Sequence, residues 1–408
     1  MKVLYYNHTG QVSGAEHVLL MILSRLDRGR FEPVVACPGE GRLIGMVRDL
    51  GVRTIGLEQL EARFTWRIGS LFRYLASFAR VIHDARDLVI DEQPDIIHAN
   101  SIRAGLVMSA ASFGLATPVI WHAHDILPRH PLSIAIRFFA CASRHNSILA
   151  VSQAAAGRFR GILIRWFSRR VPIRVIHNAV DLGRFQPNSK SRREIRRSLG
   201  LTEKDRVVGI VGHLTPTKGQ LELIEAFAAI SRETPDAVLL VIGESLFNRG
   251  NDYMKSLMRA ASLCAGTDRV RFLGPRDDVP ALMRGLDLLV VNSHTEAFAL
   301  TVLEGLATGA AILATAVDGT PEMIRHRENG WLVPARDQQT LAEAMLLLMN
   351  DQNLREQLGS NGRREAIARF SRERFATEIH SFYRGILEGG TTPHRESARR
   401  LEVKLSSD

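Results

Sequence analysis

Two glutamates eight positions apart could act together on one bound ligand. Glu296 follows the short apolar run Leu288–Val291, which predicts a buried strand, and Glu304 lies in the helical pattern that comes next. Open α/β sheets bind their ligands in the loops at the carboxyl ends of parallel strands. Two readings stay open: both carboxylates contact one ligand, or Glu296 satisfies free N–H groups at a helix start and Glu304 lies on a solvated helix face.

The backbone between these glutamates predicts an anion site that needs no metal. The N–H groups near Phe298, Ala299 and Leu300 begin the helix without internal partners, and the helix dipole adds partial positive charge. A dipole contributes about 0.3 to 2 kcal/mol, which is weak for a diphosphate. We therefore expect a cationic side chain to assist.

Lys218 is the candidate cation. It follows the predicted strand Val207–Val211, and Gly219 beside it lets the backbone approach a ligand closely. A compact ammonium suits a phosphate oxygen. The bland alternative is a surface charge at the start of a helix, where the dipole disfavours a cation, so the phosphate role is favoured.

The sequence predicts no other phosphate-binding motif and no metal-binding site. The chain has no GxxxxGK[ST] segment, no strict GxGxxG and no two aspartates separated by one residue. His122 and His124 could ligate a metal, but we expect side chains two positions apart on an extended chain to point to opposite sides. Three widely spaced cysteines form neither a zinc motif nor a disulfide framework. No metal and no cofactor are expected.

Composition and charge indicate a two-domain globular protein with a basic first half. The chain has 408 residues, 45% hydrophobic and 24% charged. Residues 1–185 hold 23 Lys and Arg against 14 Asp and Glu, whereas the remainder holds 30 against 29. An acidic partner should therefore meet the first half. No nucleic-acid-binding module is present, so nucleic acid is not an expected partner.

Strand and helix patterns alternate and then restart, which predicts two doubly wound parallel sheets with a ligand cleft between them. The strand candidates are Val3–Tyr6, Pro33–Ala36, Arg53–Leu57, Asp95–His98, Val119–His122, Ile148–Val151 and Arg174–Ile176, then Val207–Val211, Ala237–Ile242, Val270–Leu273, Leu288–Val291 and Ala311–Ala314. His98 and Asn100 end one strand, and His122 and His124 end another, so both pairs are expected at the cleft. For His98 and His122, a polar side chain satisfied at a strand end is an equally good interpretation.

Six segments, in this order and spacing, resemble one family. They are Ser13-Gly14-Ala15-Glu16, Val175 to Asp181, Val211-Gly212 with Lys218-Gly219, Glu296 to Glu304, Asp318 to Glu322 and Asn329 to Val333. They resemble the front-loop, interdomain and E-x7-E motifs of the retaining nucleotide-sugar glycosyltransferases of family 4, also called glycosyl transferases group 1. The resemblance covers nearly the whole chain and implies an α/β architecture of the GT-B type, with two Rossmann-like domains facing a cleft.

The resemblance implies roles for the donor site. Glu304 would hydrogen-bond the nucleoside ribose, and Glu296 would contact hydroxyls of the transferred sugar. Lys218 would hold the diphosphate together with the backbone of residues 298–300. His213 stands in the same loop as Lys218, where the family commonly has arginine, and a neutral imidazole gives the leaving group less charge than guanidinium.

In the first half, the resemblance implies that Gly14 admits the diphosphate and that His124 aids the transition state near the sugar. Catalysis would need no metal and would retain the anomeric configuration, with the leaving phosphate accepting the acceptor proton. Ser13 and Asp318 replace family glycines, so two alternatives stay open. One is a GT-B-like sugar-nucleotide epimerase, and the other is a catalytically weak subunit that binds sugar nucleotide.

The expected enzyme moves a hexosyl unit from a nucleoside diphosphate sugar to a hydroxyl of a glycan, lipid-linked or small-molecule acceptor. Residues 1–185 and a last helix, 371–388, would form the acceptor domain, and 186–370 the donor domain. Residues 391–408 are expected to be a flexible tail. The base, the sugar, the acceptor and the oligomeric state stay open.

Two segments bear on location. Residues 63–80 and 158–170 combine arginines with large apolar side chains. They are either helices with solvated charged faces or a contact with an anionic membrane surface. No run reaches 18 apolar residues and no signal-peptide pattern is present, so a cytoplasmic protein is expected, membrane-associated in the second reading.

Overall fold

The structure is a computed structural model that describes residues 1–57, 68–160, 171–245, 250–266 and 268–388. Its strands form two separate sheets in which all neighbouring strands run parallel. The predicted fold class, two doubly wound parallel-sheet domains, is confirmed.

Seven strands form the first sheet within the described residues, in the order β3-β2-β1-β4-β5-β6-β7. They are Lys2–Tyr6 (β1), Glu32–Pro38 (β2), Arg53–Leu57 (β3), Ile96–Ala99 (β4), Val119–Ala123 (β5), Asn146–Ala150 (β6) and Ile173–Val175 (β7). Alternate residues of β1 enter two different cores, because Val3 and Tyr5 pack on one face and Leu4 and Tyr6 on the other. Burial on both faces explains why the strands read as continuous apolar runs.

The second sheet has six strands in the described part of the chain, in the order β10-β9-β8-β11-β12-β13. They are Arg206–Val211 (β8), Ala237–Ile242 (β9), Val270–Gly274 (β10), Leu288–Val291 (β11), Ala311–Thr315 (β12) and Trp331–Val333 (β13). Each expected strand is present within about two residues, and β13 is an additional edge strand. In both sheets the strand order reverses beside the first strand, which is where such sheets bind ligands.

Helices cover both faces of the sheets. In the first half they are Gly14–Arg25 (α1), Leu43–Asp49 (α2), Ile68–Glu92 (α3), Ile102–Ala111 (α4), Pro131–Ala142 (α5) and Gln153–Gly157 (α6). The second half has Ser189–Ser198 (α7), Gln220–Ile230 (α8), Gly250–Ala261 (α9), Val279–Gly285 (α10), Leu300–Thr308 (α11), Gln338–Asn350 (α12), Gln352–Arg369 (α13) and Arg372–Leu387 (α14).

The last helix, α14, returns to the first domain. Phe375, Ile379 and Tyr383 are buried in the core that lies between the first sheet and α1. The Tyr383 hydroxyl is 2.7 Å from Nδ1 of His98 on β4. The domain limits 1–185 and 186–370 stay predictions, and the expected tail, 391–408, lies outside the described residues.

The two domains also meet through a carboxylate. Glu322, in a short 3-10 turn of the second domain, accepts hydrogen bonds from the backbone N–H groups of Gln153 and Ala154 at the start of α6. The same carboxylate lies 2.9 Å from His177 in the interdomain join. These bonds tie the second domain to the start of α6 and to the interdomain join.

The two basic segments are only partly described. Residues 58–67 and 161–170 lie outside the described residues, so the membrane prediction for 63–80 and 158–170 stays untested there. Within the described part of the chain, no helix combines the length and apolarity needed to cross a bilayer.

Candidate active site

Lys218 and Glu296 form the centre of the candidate site. The Lys218 ammonium donates to Oε2 of Glu296 at 2.6 Å, although 78 residues separate them in the chain. Ser293 donates to the same carboxylate oxygen at 3.3 Å. The two residues come from adjacent loops, because β8 and β11 are neighbours in the sheet. A cation and a carboxylate therefore face the cleft side by side.

The Lys218 loop is held by close backbone packing. The chain makes a 3-10 turn over Pro216–Lys218, and Gly219 then adopts φ 67°, in the left-handed region that favours glycine. A Cβ at Gly219 would clash with the carbonyl of Asn292, whose side-chain amide donates to the Gly219 carbonyl at 2.9 Å. Lys218 thus precedes helix α8 instead of starting it.

The Glu296 loop is fixed by Asp318, one of the departures from the family pattern. Asp318 has φ 40° and accepts hydrogen bonds from Oγ1 of Thr295 at 2.7 Å and from the backbone of Glu296 at 3.2 Å. Arg158 of the first domain lies 3.5 Å from the other Asp318 oxygen. Arg158 thus partly compensates the negative charge of Asp318, and Asp318 orients Glu296.

The backbone after Glu296 offers unpaired donors. Helix α11 begins at Leu300, with Ala299 in extended conformation before it. Within the described residues, the N–H groups of Phe298, Ala299 and Leu300 donate no hydrogen bond. Phe298 is anchored by stacking on His177, with ring centroids 4.7 Å apart and nearly parallel planes. The expected free amides are present, and their role as phosphate ligands stays a prediction.

Glu304 lies one turn into α11. Its carboxylate makes no hydrogen bond in the described part of the chain, and burial raises its pKa from 4.5 to about 7, while Arg184 partly opposes this shift. A half-buried carboxylate without a partner is costly for the fold. Glu304 is therefore poised to accept hydrogen bonds from a ligand.

The first domain faces this site across the cleft. A Cβ built on Gly14, at the first turn of α1, would lie 4.0 Å from Cδ1 of Leu300. The pKa of Asp125, after β5, is raised first by desolvation and then by the Glu296 carboxylate, and the Lys218 ammonium lowers it, so Asp125 lies near both charges. The structure thus brings Gly14, Lys218, Glu296 and residues 298–300 together.

His124 is oriented by a buried amide network. Asn100 donates to Oδ1 of Asn7 at 2.9 Å and to the Ala15 carbonyl at 3.2 Å, which leaves its own Oδ1 to accept from Nε2 of His124 at 3.1 Å. Asn7 in turn donates to Glu16 at 3.1 Å. His124 therefore carries its proton on Nε2. Burial lowers its pKa to about 3, so the ring is neutral near pH 7, and its Nδ1 has no hydrogen-bond partner among the described residues.

Two sequence expectations about the histidines are wrong. The rings of His122 and His124 do not diverge, and their centroids are 3.8 Å apart. Residues two apart on a strand point to the same face of the sheet, which explains why the two rings lie together. His98 and His122 do not face the cleft but are fully buried. They bond to each other at 2.9 Å, and His98 bonds to Tyr383, so they connect the sheet to α14.

His213 and Ser13 have roles that differ from those of the arginine and the glycine that the family commonly has at these positions. The carbonyl of His213 accepts from Gln220 at 2.8 Å, and burial, followed by Lys218, lowers the pKa of its imidazole. His213 is thus neutral near pH 7 and leaves Lys218 as the charge of this loop. The Ser13 hydroxyl donates to Glu16 at 2.6 Å, so it serves the start of α1.

Among the described residues, no three His, Cys, Asp or Glu side chains converge in a way that could hold a metal ion. Chemically, the site offers one ammonium, a row of free amides, a carboxylate beside the ammonium and a second carboxylate one turn into α11. Such a set fits a ligand that carries both an anion and several hydroxyl groups.

Comparison with known families identifies the family to which the chain belongs. The family model described as "Glycosyltransferase Family 4" matches residues 12–184, and the "Glycosyl transferases group 1" model matches residues 191–365. A D-inositol 3-phosphate glycosyltransferase of Salinispora arenicola is 30% identical over 309 residues, or 71% of this chain and 68% of that protein. The chain belongs to the glycosyl transferases group 1 family. It is a group 1 glycosyltransferase, as the motifs predicted.

Other relatives of this group 1 glycosyltransferase agree with the family. A GDP-mannose-dependent phosphatidylinositol monomannoside mannosyltransferase of Mycobacterium tuberculosis is 27% identical, over 67% of this chain and 75% of that one. A solved structure of Anabaena HepE in complex with UDP and glucose has a TM-score of 0.79 at 26% identity, covering 94% of this chain and 99% of that chain. The lipopolysaccharide glycosyltransferase WaaG, at 17% identity and a TM-score of 0.68, shares the fold. The GT-B architecture is thereby confirmed.

Proposed function

We propose that this group 1 glycosyltransferase transfers a hexosyl unit, with retention of anomeric configuration, from a nucleoside diphosphate sugar to a hydroxyl of a glycan, lipid-linked or small-molecule acceptor. The observation that carries the proposal is the Lys218–Glu296 pair beside the free amides of residues 298–300. The HepE complex with UDP and glucose supports a nucleotide-sugar donor.

The chain's own groups would carry out the transfer. Lys218 and the amides of residues 298–300 would stabilise the departing diphosphate, where negative charge develops. Glu296 would bind hydroxyls of the transferred sugar, and Glu304 the ribose. His124 has a pKa too low for a general acid near pH 7, so its neutral ring would act as a hydrogen-bond acceptor. The leaving phosphate would take the acceptor proton, and no metal would be needed.

The donor and the stereochemistry can be tested together. We expect UDP-glucose or GDP-mannose to raise the unfolding temperature, because a ligand bound only by the native state stabilises it. NMR of the product should show the donor's anomeric configuration, and turnover should survive EDTA. Inversion of the anomeric centre, or loss of turnover in EDTA, would refute the mechanism. An epimer formed from donor alone would instead favour the epimerase.

Gly14 allows a test that separates folding from binding. Its φ is not in the left-handed region, and a Cβ would meet no atom closer than 4.0 Å, so the fold itself does not need glycine here. If the diphosphate lies against this loop, the methyl group of Gly14→Ala would occupy its space. We expect an unchanged unfolding temperature without donor and a donor KM raised about tenfold, equivalent to about 1.4 kcal/mol.

Gly45→Ala is the matched control, because it also places a methyl group in open space on a first-domain helix. It should change neither the unfolding temperature nor the donor KM appreciably. If Gly14→Ala also left KM unchanged, the diphosphate would not lie against this loop.

A further inference from the structure

Helix α5 exposes an apolar face. Leu132, Ile134, Phe138 and Phe139 are 51%, 51%, 57% and 38% exposed, whereas Ala140 and Cys141 on the other side are buried. The other large apolar side chains that are exposed in the described residues are spread over several elements. Four on one helix of twelve residues make a patch, and patches of this kind mark interaction surfaces.

The charged residues that flank α5 in the sequence are mostly positive. From Ile126 to Val180 the sequence contains nine arginines and neither aspartate nor glutamate, although five of these arginines belong to segment 158–170. Arg129 and Arg144, on either side of α5, are exposed. An apolar face flanked by cations complements an anionic bilayer, whose headgroups attract arginine and whose boundary accepts apolar side chains.

We propose that α5 is a membrane-docking surface, which places Ile134 and Phe138 at the acyl boundary of an anionic leaflet and Arg129 and Arg144 against lipid phosphates. A second copy of this chain fits the patch poorly. A two-fold interface would bring the same patch of both copies together, and with it two sets of arginines without an acidic partner. This surface is distinct from segments 63–80 and 158–170.

The position of α5 relates docking to the proposed transfer. Only seven positions separate His124 at the cleft from Pro131 at the start of α5, so the two lie within about 25 Å of one another. A bilayer at α5 would therefore lie within about 25 Å of His124, on the domain expected to bind the acceptor. Resting on the proposed function, this placement favours a lipid-linked acceptor over a free glycan.

Vesicle co-sedimentation of the full chain tests the surface. The variant Ile134→Asp/Phe138→Asp is compared with Met258→Asp/Leu263→Asp, which introduces the same charges at exposed apolar positions of the second domain, 58% and 71% exposed. We expect the wild type and the control to bind equimolar phosphatidylglycerol and phosphatidylcholine vesicles, with little binding to phosphatidylcholine alone. The α5 variant should bind at least about tenfold more weakly, since two large apolar side chains would no longer be buried at the acyl boundary.

The thermal shift produced by UDP is measured on all three proteins. An equal UDP shift together with loss of vesicle binding in the α5 variant alone supports the proposal, whereas absence of a UDP shift in the wild type counts against the proposed function and not against docking. The docking proposal is overturned if the wild type does not bind anionic vesicles, if it binds neutral vesicles equally well, or if the α5 substitutions leave vesicle binding unchanged. A wild-type dimer that these substitutions dissociate would assign the patch to a second copy instead.

Discussion

Replacing Lys218 by methionine is expected to lower kcat/KM for transfer about 10²- to 10³-fold. Methionine keeps the length of the side chain but removes the ammonium that would meet the diphosphate, and loss of one preorganised group at a developing charge has effects of this size. His213 cannot compensate, because its pKa is lowered and its ring is neutral near pH 7. Initial rates at saturating acceptor and varied donor measure the loss.

The substitution also leaves Glu296 without its partner at 2.6 Å. The direct loss of the ammonium at the phosphate must therefore be separated from an indirect effect through Glu296. In Lys218→Met/Glu296→Gln neither charge remains. If the ammonium acts only by holding Glu296, the double variant should be no worse than Glu296→Gln alone. If it acts on the phosphate, the double variant should be slower than either single one. Lys255→Met removes an exposed lysine on α9 and should leave the rate unchanged; a comparable loss there would point to a nonspecific effect.

Local patterns in the sequence were sufficient to predict which residues form the site in the second domain. Glu296, Lys218 and the amides of residues 298–300 each follow a strand, and neighbouring parallel strands bring their carboxyl ends to one edge. The same logic explains why the sheet order could be anticipated as doubly wound. The Glu296 loop, however, is held by Asp318, which the sequence analysis marked only as the replacement of a family glycine.

The hydrogen-bond network in the first domain could not be predicted from the spacing of its residues in the sequence. Asn7 and Asn100 are 93 positions apart, and His124 is a further 24 along the chain, yet their side chains form one chain of hydrogen bonds. Such bonds depend on which rotamers the packed strand ends allow, and no periodicity encodes that. The apolar exposed face of α5 was missed for a different reason: a helical period shows that a sequence is amphipathic but not which side the fold turns to solvent.

Glu304→Gln is expected to weaken donor binding while stabilising the protein without donor. Ribose hydroxyls would donate to the carboxylate, and a hydrogen bond to a charged group is worth about 1.5 to 3 kcal/mol, so the donor KM should rise about 10- to 100-fold. Glutamine keeps the shape but accepts a weaker bond. Steady-state kinetics at pH 8, where the wild-type carboxyl is mostly ionised, measures this loss.

The stability change follows from the pKa. Burial raises the pKa of Glu304 from 4.5 to about 7, so the folded protein holds this proton more tightly than the unfolded chain does. The cost is absent below about pH 4.5, grows as the pH rises and is complete above about pH 7, where it corresponds to about 3 kcal/mol. Without donor, Glu304→Gln should thus unfold at a higher temperature than wild type at pH 8 and at nearly the same temperature at pH 4.5.

Glu233→Gln, at an exposed position after α8, is the control and should shift neither KM nor the pH dependence of unfolding. A Glu304→Gln protein with wild-type KM would remove the ribose role. One that lost donor affinity without gaining stability at pH 8 would mean that the carboxylate is better solvated than the cleft suggests. Both changes together would show that the fold keeps an unfavourable buried charge because the donor needs it.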